Sequence, residues 1–271
     1  MFHGLLLTFI LLKFKIMKLK LLFLALMVQS TISTFSQTKE IQYKDGNQVF
    51  SGISVKPSKP LKNNPGILIL PAWMGIDDHA KDSANQLAAL GYNTFVADIY
   101  GADKRPTNYK EAGEKAGYFK KNIKEYQTRI QLALDELVKQ GANPEEIVVM
   151  GYCFGGTGAV EAARTNIKVK GVVSFHGGLG RDAARTIDVI MPRVLVLHGA
   201  DDPYVPKPEI EAFQNEMRTA KADWQMVYYA NAVHSFTDKN AGNDNSKGAA
   251  YNEKAEKRSW QAMLDFLKEV F

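Results

Sequence analysis

Three short stretches carry residue types that could do chemistry together. "VVMGYCFGGTGAV" (residues 148–160) holds the one cysteine of the chain, Cys153. "VLVLHGADDPYVP" (194–206) supplies Asp201 and Asp202, and "MVYYANAVHSF" (226–236) supplies His234. The first reads G-x-C-x-G-G between a β-branched run and a helical pattern, which is the form of a nucleophile elbow. Small residues two before and two after the cysteine let the chain turn sharply and lift the side chain clear. A thiol on such a turn faces a backbone N–H and a helix N-terminus, both of which favour negative charge. It should ionise below the usual value of about 8.5. A lone cysteine is more often a buried apolar residue, but the glycines would then have no role.

Nucleophile, acid and histidine follow one another in the order an elbow requires. Each candidate lies just past an apolar run, so a parallel sheet would bring all three to one edge. The interval Gly151 to Gly156 also fits a phosphate loop, but Thr157 stands where its lysine must be. No C-x-x-C or H-x-x-x-H spacing is present, so neither a metal nor a cofactor is expected. His176 and His198 each begin an "HG" pair at a strand end and are assigned to packing or local hydrogen bonds. His79 opens a helix and is expected to be exposed.

The elements that must position these residues alternate. Strands are predicted at "QVFSGISV", "GILILPAW", "NTFVADIYG", after a turn within "NPEEIVVMG", and at "VKGVVSFHGG", "PRVLVLHGADD" and "WQMVYYANAVH". Helices are predicted at "DDHAKDSANQLAALGY", over 108–140 with a bend near Gly113 and Gly117, over 154–166, at "PEIEAFQNEMRTA" and at the C-terminus. The last carries Trp260, Met263, Leu264, Leu267, Val270 and Phe271 on one stripe. Only "TDKNAGNDNSKGAA" after His234 reads as loose. Repeated strand–helix–strand units imply an α/β fold, a mostly parallel sheet with helices on both faces.

The first 36 residues stand apart. They are basic, then apolar, then small and polar, with Thr34 and Ser36 at the small-residue positions of a cleavage site. The stretch from Met17 is already a complete export signal, so Met17 is a candidate true start. The alternative is a membrane anchor, but lysines at 13, 15, 18 and 20 interrupt the apolar run. The expectation is a signal peptide over 1–36, one domain over 37–271, and an exported protein with no membrane association after cleavage. Taking the four lysines of that segment from the 34 basic residues leaves 30 against 29 acidic, a net of +1. No basic surface argues for nucleic acid.

These residues carry a resemblance. "GYCFGG", "HGADDPYVP", "AVHSF" and "MGIDDHAKDSANQLAALGYNTFVADIYG" resemble the dienelactone hydrolase family of α/β-hydrolases over roughly 65–271. The resemblance implies an α/β-hydrolase fold. It makes Cys153 the nucleophile, His234 the base and Asp202 the orienting acid, since H-G-x-x-D-x-x-V fits His198, Gly199, Asp202 and Val205. It puts the oxyanion hole at the backbone N–H groups of Trp73 and Phe154. The chain departs from the family twice. Ala72 stands where catabolic members have a thiol-activating glutamate, and Asp238 stands where they have a carboxylate-holding arginine. The expected activity is hydrolysis of a small-molecule ester or lactone, without a carboxylate beside the scissile carbonyl. The rivals are a catalytically weak ligand-binding protein, favoured by Ala72, and an acyltransferase or peptidase using the same triad.

Overall fold

A computed structural model describes residues 37–271; the expected signal segment lies outside them. Eight strands form one sheet: β1 (Gln37–Asp45), β2 (Gln48–Lys56), β3 (Gly66–Leu70), β4 (Asn93–Val96), β5 (Ile147–Tyr152), β6 (Gly171–Phe175), β7 (Arg193–Gly199) and β8 (Trp224–Tyr229). Their order is β1-β2-β4-β3-β5-β6-β7-β8. β1 and β2 pair antiparallel, as do β2 and β4. All other pairs are parallel. Six helices connect or follow the strands: α1 (Asp78–Ala89), α2 (Tyr109–Lys121), α3 (Ile123–Lys139), α4 (Phe154–Arg164), α5 (Lys207–Thr219) and α6 (Glu253–Val270). This is the mostly parallel α/β sheet that the strand–helix alternation predicts, in the α/β-hydrolase form that the resemblance implies.

Central strands are apolar on both faces because helices cover both. In β3, Leu68 and Leu70 point into a core shared with α2 to α5. Ile67 and Ile69, one residue out of phase, point into a second core shared with α1 and α6. Each such side chain, fully buried, contributes about 1.5–3 kcal/mol. Met263, Leu267 and Val270 of the predicted C-terminal stripe are buried in the second core, while Trp260 and Leu264 pack at its margin.

The chain runs from β3 outward to β4, then returns across β3 to β5 and proceeds to β6. The winding direction therefore reverses between β3 and β5. A crevice opens at the carboxyl ends of strands at such a reversal. The loop holding Trp73 leaves β3, and Cys153 leaves β5, so both flank it.

Three local readings need correction. The bend predicted near Gly113 and Gly117 lies instead at Asn122, which joins α2 to α3 with φ −108° and ψ 58°. Both glycines sit inside α2. Asn108 caps the helix start, accepting from Glu111 N at 3.0 Å, and Ala112, Ala116 and Phe119 are buried, so capping and packing together offset the low propensity of the two glycines. β1 was not predicted, because only Ile41 and Tyr43 of its nine residues are buried and the rest of the edge strand is polar. β8 stops at Tyr229, and a turn separates it from His234.

Candidate active site

Cys153 sits between β5 and α4 with φ 53° and ψ −111°. Positive φ is unusual for a side-chain-bearing residue and costs about 1–3 kcal/mol. The neighbouring glycines make the turn possible. A Cβ on Gly151 would run into the carbonyl of Gly155, and a Cβ on Gly155 into the carbonyl of Leu70. The backbone can therefore close tightly only if both remain glycine.

His234 is fixed by its backbone. Its N–H donates to Gly248 O at 3.2 Å, and its carbonyl accepts from Ala250 N at 3.0 Å. The Gly/Asn-rich loop that reads as loose thus clamps the histidine. Two short 3₁₀ turns organise it, capped by Asp238 and Asp244. His234 Nε2 lies 3.0 Å from Cys153 Sγ. Its Nδ1 lies 2.8 Å from Asp202 Oδ2. The Asp202 side chain is fully buried, and its second oxygen accepts from Tyr204 N at 2.9 Å. Asp201 is exposed. The three residues selected from sequence are thus brought together.

The Trp73 N–H has no acceptor among the described residues, while the Trp73 carbonyl accepts from the Tyr100 hydroxyl at 2.8 Å. The Phe154 N–H faces the Cys153 sulfur. Phe154 is locked from both sides. Tyr126 stacks on its ring at 4.5 Å and donates to its carbonyl at 2.8 Å. Tyr100 stacks on the ring at 5.7 Å. Tyr100 is set in turn by the buried Asp98, which accepts from the N–H groups of Ser51, Tyr100 and Gly101 and from Arg105.

Burial opposes ionisation of Cys153, but the hydrogen bond and charge of His234, the charge of Lys120 and the Phe154 N–H outweigh it. The thiol is held below its ordinary value. Burial likewise disfavours a charged His234, yet Asp202 and Cys153 raise it to about 10. The arrangement favours a thiolate–imidazolium pair near neutral pH.

Sequence reasoning missed Tyr100, Tyr126 and the part played by His176. Tyr100 ends a predicted strand and Tyr126 lies in a predicted helix, and both are buried aromatic residues with no local mark of a role at the site. Their hydroxyl partners lie 27 and 28 residues away. The ring of His176 bonds not locally, as expected, but across the fold to the site itself: its Nδ1 accepts from Cys153 N at 3.2 Å, 23 residues away. His198 is buried, with its ring edge-on to Tyr228. His79 is half-buried rather than exposed, with its ring 4.3 Å from that of Tyr152. Each ring packs on an aromatic neighbour and takes no part in the relay. Ala72 is half-buried against the second core. Asp238 accepts from Asn240 N at 2.8 Å and borders a cavity of 560 Å³ with His79, Tyr152, Glu256 and Trp260.

A model of the dienelactone hydrolase family matches residues 50–271. A solved structure titled m3DLH is 35% identical, with a TM-score of 0.83 over 88% of this chain and 99% of that one. A second, titled a dienelactone hydrolase-like promiscuous phosphotriesterase from metagenomic libraries, is 36% identical, with a TM-score of 0.81 over 87% and 99%. An uncharacterized protein of Caenorhabditis elegans is 34% identical over 53% of this chain and 92% of its own length.

Proposed function

The chain belongs to the dienelactone hydrolase family, and from that membership we propose that it cleaves a small-molecule carboxylic ester or lactone with Cys153 as nucleophile. The observation that carries this reading is the relay from Cys153 Sγ through His234 to Asp202, at 3.0 and 2.8 Å. The thiolate attacks the substrate carbonyl carbon, and the carbonyl π electrons move onto oxygen. The N–H groups of Trp73 and Phe154 hold that oxyanion. Collapse expels the alcohol oxygen, which takes the proton from His234 Nε2. Water then attacks the acyl thioester with His234 as base, and the thiolate is restored. Asp202 keeps the imidazole in the tautomer this cycle needs. No cofactor enters these steps.

Phosphotriester cleavage is a second reading, favoured by the 36% identity to the phosphotriesterase structure. A ligand-binding protein of weak turnover is a third, favoured by Ala72 in place of the activating glutamate. A hydrolysis screen over neutral and anionic esters, lactones, acetylated sugars and phosphotriesters separates them, with Cys153→Ala as control. Ester turnover lost in a folded Cys153→Ala variant supports the first reading, and equal rates in both proteins reject it.

We also propose export. The basic-then-apolar segment before Gln37, with small residues at Thr34 and Ser36, supports it. Mass spectrometry of the native protein should find an N-terminus near Gln37; an intact Met1 or Met17 overturns export by cleavage.

A further inference from the structure

His176 is buried at the end of β6, with its φ at 39° and its N–H donating to Leu197 O at 2.9 Å. Its ring nitrogens have different partners. Nδ1 accepts from Cys153 N at 3.2 Å, an N–H that is shared with Phe175 O at 3.0 Å. Nε2 lies 2.9 Å from the Thr237 hydroxyl. An accepting Nδ1 in a neutral ring leaves the proton on Nε2, so Nε2 donates to Thr237. Thr237 is buried, three residues after His234. The ring also meets His234 edge-on at 5.3 Å and Phe236 at 5.0 Å. One side chain therefore touches the elbow, the base and the loop that carries the base.

We propose that His176 is a positioning residue that ties the Cys153 elbow to the His234 loop and so holds sulfur and imidazole at reacting distance. The inference rests on the proposed cysteine mechanism. Few side chains meet the requirement. The site needs an acceptor at one point, a donor at another and a flat apolar body between them, on a residue with positive φ. Histidine supplies the first three and tolerates the last better than most residues. Its neutrality matters too. The groups facing it are His79 from α1, Tyr152 and Cys153 from the end of β5, His198 from the end of β7, and His234. Burial and these histidines hold it uncharged, so it places no second cation beside the His234 imidazolium.

The test combines two measurements on the full-length mature protein. The first is the pH dependence of Cys153 alkylation by iodoacetamide, which reads the thiolate without any substrate. The second is steady-state hydrolysis of an activated ester. Three variants are compared after their folding is checked by calorimetry: His176→Phe, His176→Asn and Thr237→Val. In His176→Phe the alkylation profile should move to higher pH. kcat should fall by about 10- to 100-fold, with KM changed less than about threefold, the signature of lost alignment. His176→Asn keeps an acceptor for the Cys153 N–H and tolerates positive φ, so it should recover part of kcat. Thr237→Val should shift the profile in the same direction as His176→Phe, but less. Folded His176→Phe with wild-type alkylation and kcat would overturn the proposal. If it does not fold, unchanged profiles in both other variants overturn it instead. A wild-type protein that alkylates readily but turns over no ester defeats the ester reading alone. The alkylation shift still decides the role of His176.

Discussion

The Tyr100 hydroxyl donates to the Trp73 carbonyl at 2.8 Å, while the same ring stacks on Phe154 at 5.7 Å. One residue of the β4–α2 connection thereby touches both backbone segments whose N–H groups would hold an oxyanion. The Trp73 segment leaves β3 and the Phe154 segment leaves β5, so nothing in their local sequence fixes their separation. Burial pushes the Tyr100 phenol far above its usual range, which keeps the hydroxyl a donor throughout the working pH.

Tyr100→Phe should therefore lower kcat for ester hydrolysis by about tenfold, less than loss of a direct oxyanion donor costs. The ring stays, so packing on Phe154 stays. One hydrogen bond is lost, and stability should fall by about 1 kcal/mol. Steady-state kinetics and a urea melt check the two effects. An unchanged kcat would show that Trp73 holds its place without the tyrosine.

Asp202→Asn should reduce kcat/KM by about 10²- to 10⁴-fold, and Asp201→Asn by less than about threefold. Asp202 is fully buried and faces His234 Nδ1 at 2.8 Å, whereas Asp201 is exposed. An asparagine can present an N–H toward Nδ1 and so favour the wrong tautomer. Comparable losses in the two variants would contradict the assignment.

The pH profile of kcat/KM should be bell-shaped and broad. The reactive form is thiolate with imidazolium. The thiol is held below its ordinary value, so the thiolate persists to lower pH than in a free cysteine, and activity falls as pH drops through that lowered value. The imidazolium is raised to about 10, so its proton is lost only there, and activity falls again as pH rises past it. The two limbs belong to the coupled pair rather than to either residue alone. An acid limb at or above the normal thiol value would mean that no ion pair forms in the free enzyme.

The fold, and the places of Cys153, the Asp201–Asp202 pair and His234, are legible in sequence because each rests on local pattern, while the choice of Asp202 over Asp201 comes from the family resemblance. Strand and helix periods differ, and the elbow, acid and base each sit at the end of an apolar run. What was not legible depends on contacts across the sheet. Tyr100 and Tyr126 look like ordinary core residues until their hydroxyls meet backbone carbonyls of the site. His176 looks like a strand-end histidine until β6 lies beside β5 and brings Nδ1 to the Cys153 N–H. Edge strand β1 escaped because two buried residues in nine give no clear alternation. The bend at Asn122 escaped because glycine is the stronger local signal, yet a cap and tertiary packing kept both glycines helical.

The charge of the preferred substrate gives the last prediction. A site that selects a carboxylate needs a cation held in place, and arginine does this best through its planar fork of donors. The family carries such an arginine four residues after the base; here that position is Asp238. Its side chain caps a 3₁₀ turn at the Asn240 N–H, and it brings negative charge to the loop that carries His234. Lys120, near the end of α2, has the charge that favours the Cys153 thiolate. It is exposed and makes no ion pair among the described residues. A solvated lysine on a flexible stem discriminates weakly, and salt near 0.15 M screens it beyond about 8 Å. Wild-type protein should thus show a kcat/KM at least about tenfold higher for a neutral ester than for a carboxylate-bearing lactone of similar size, a gap of about 1.4 kcal/mol. Lys120→Met should leave that ratio within about twofold at physiological salt. Asp238→Arg should shift it toward the anion by restoring a fixed cation. A wild-type preference for the anion would mean that Lys120, or another cation, does the work of the missing arginine.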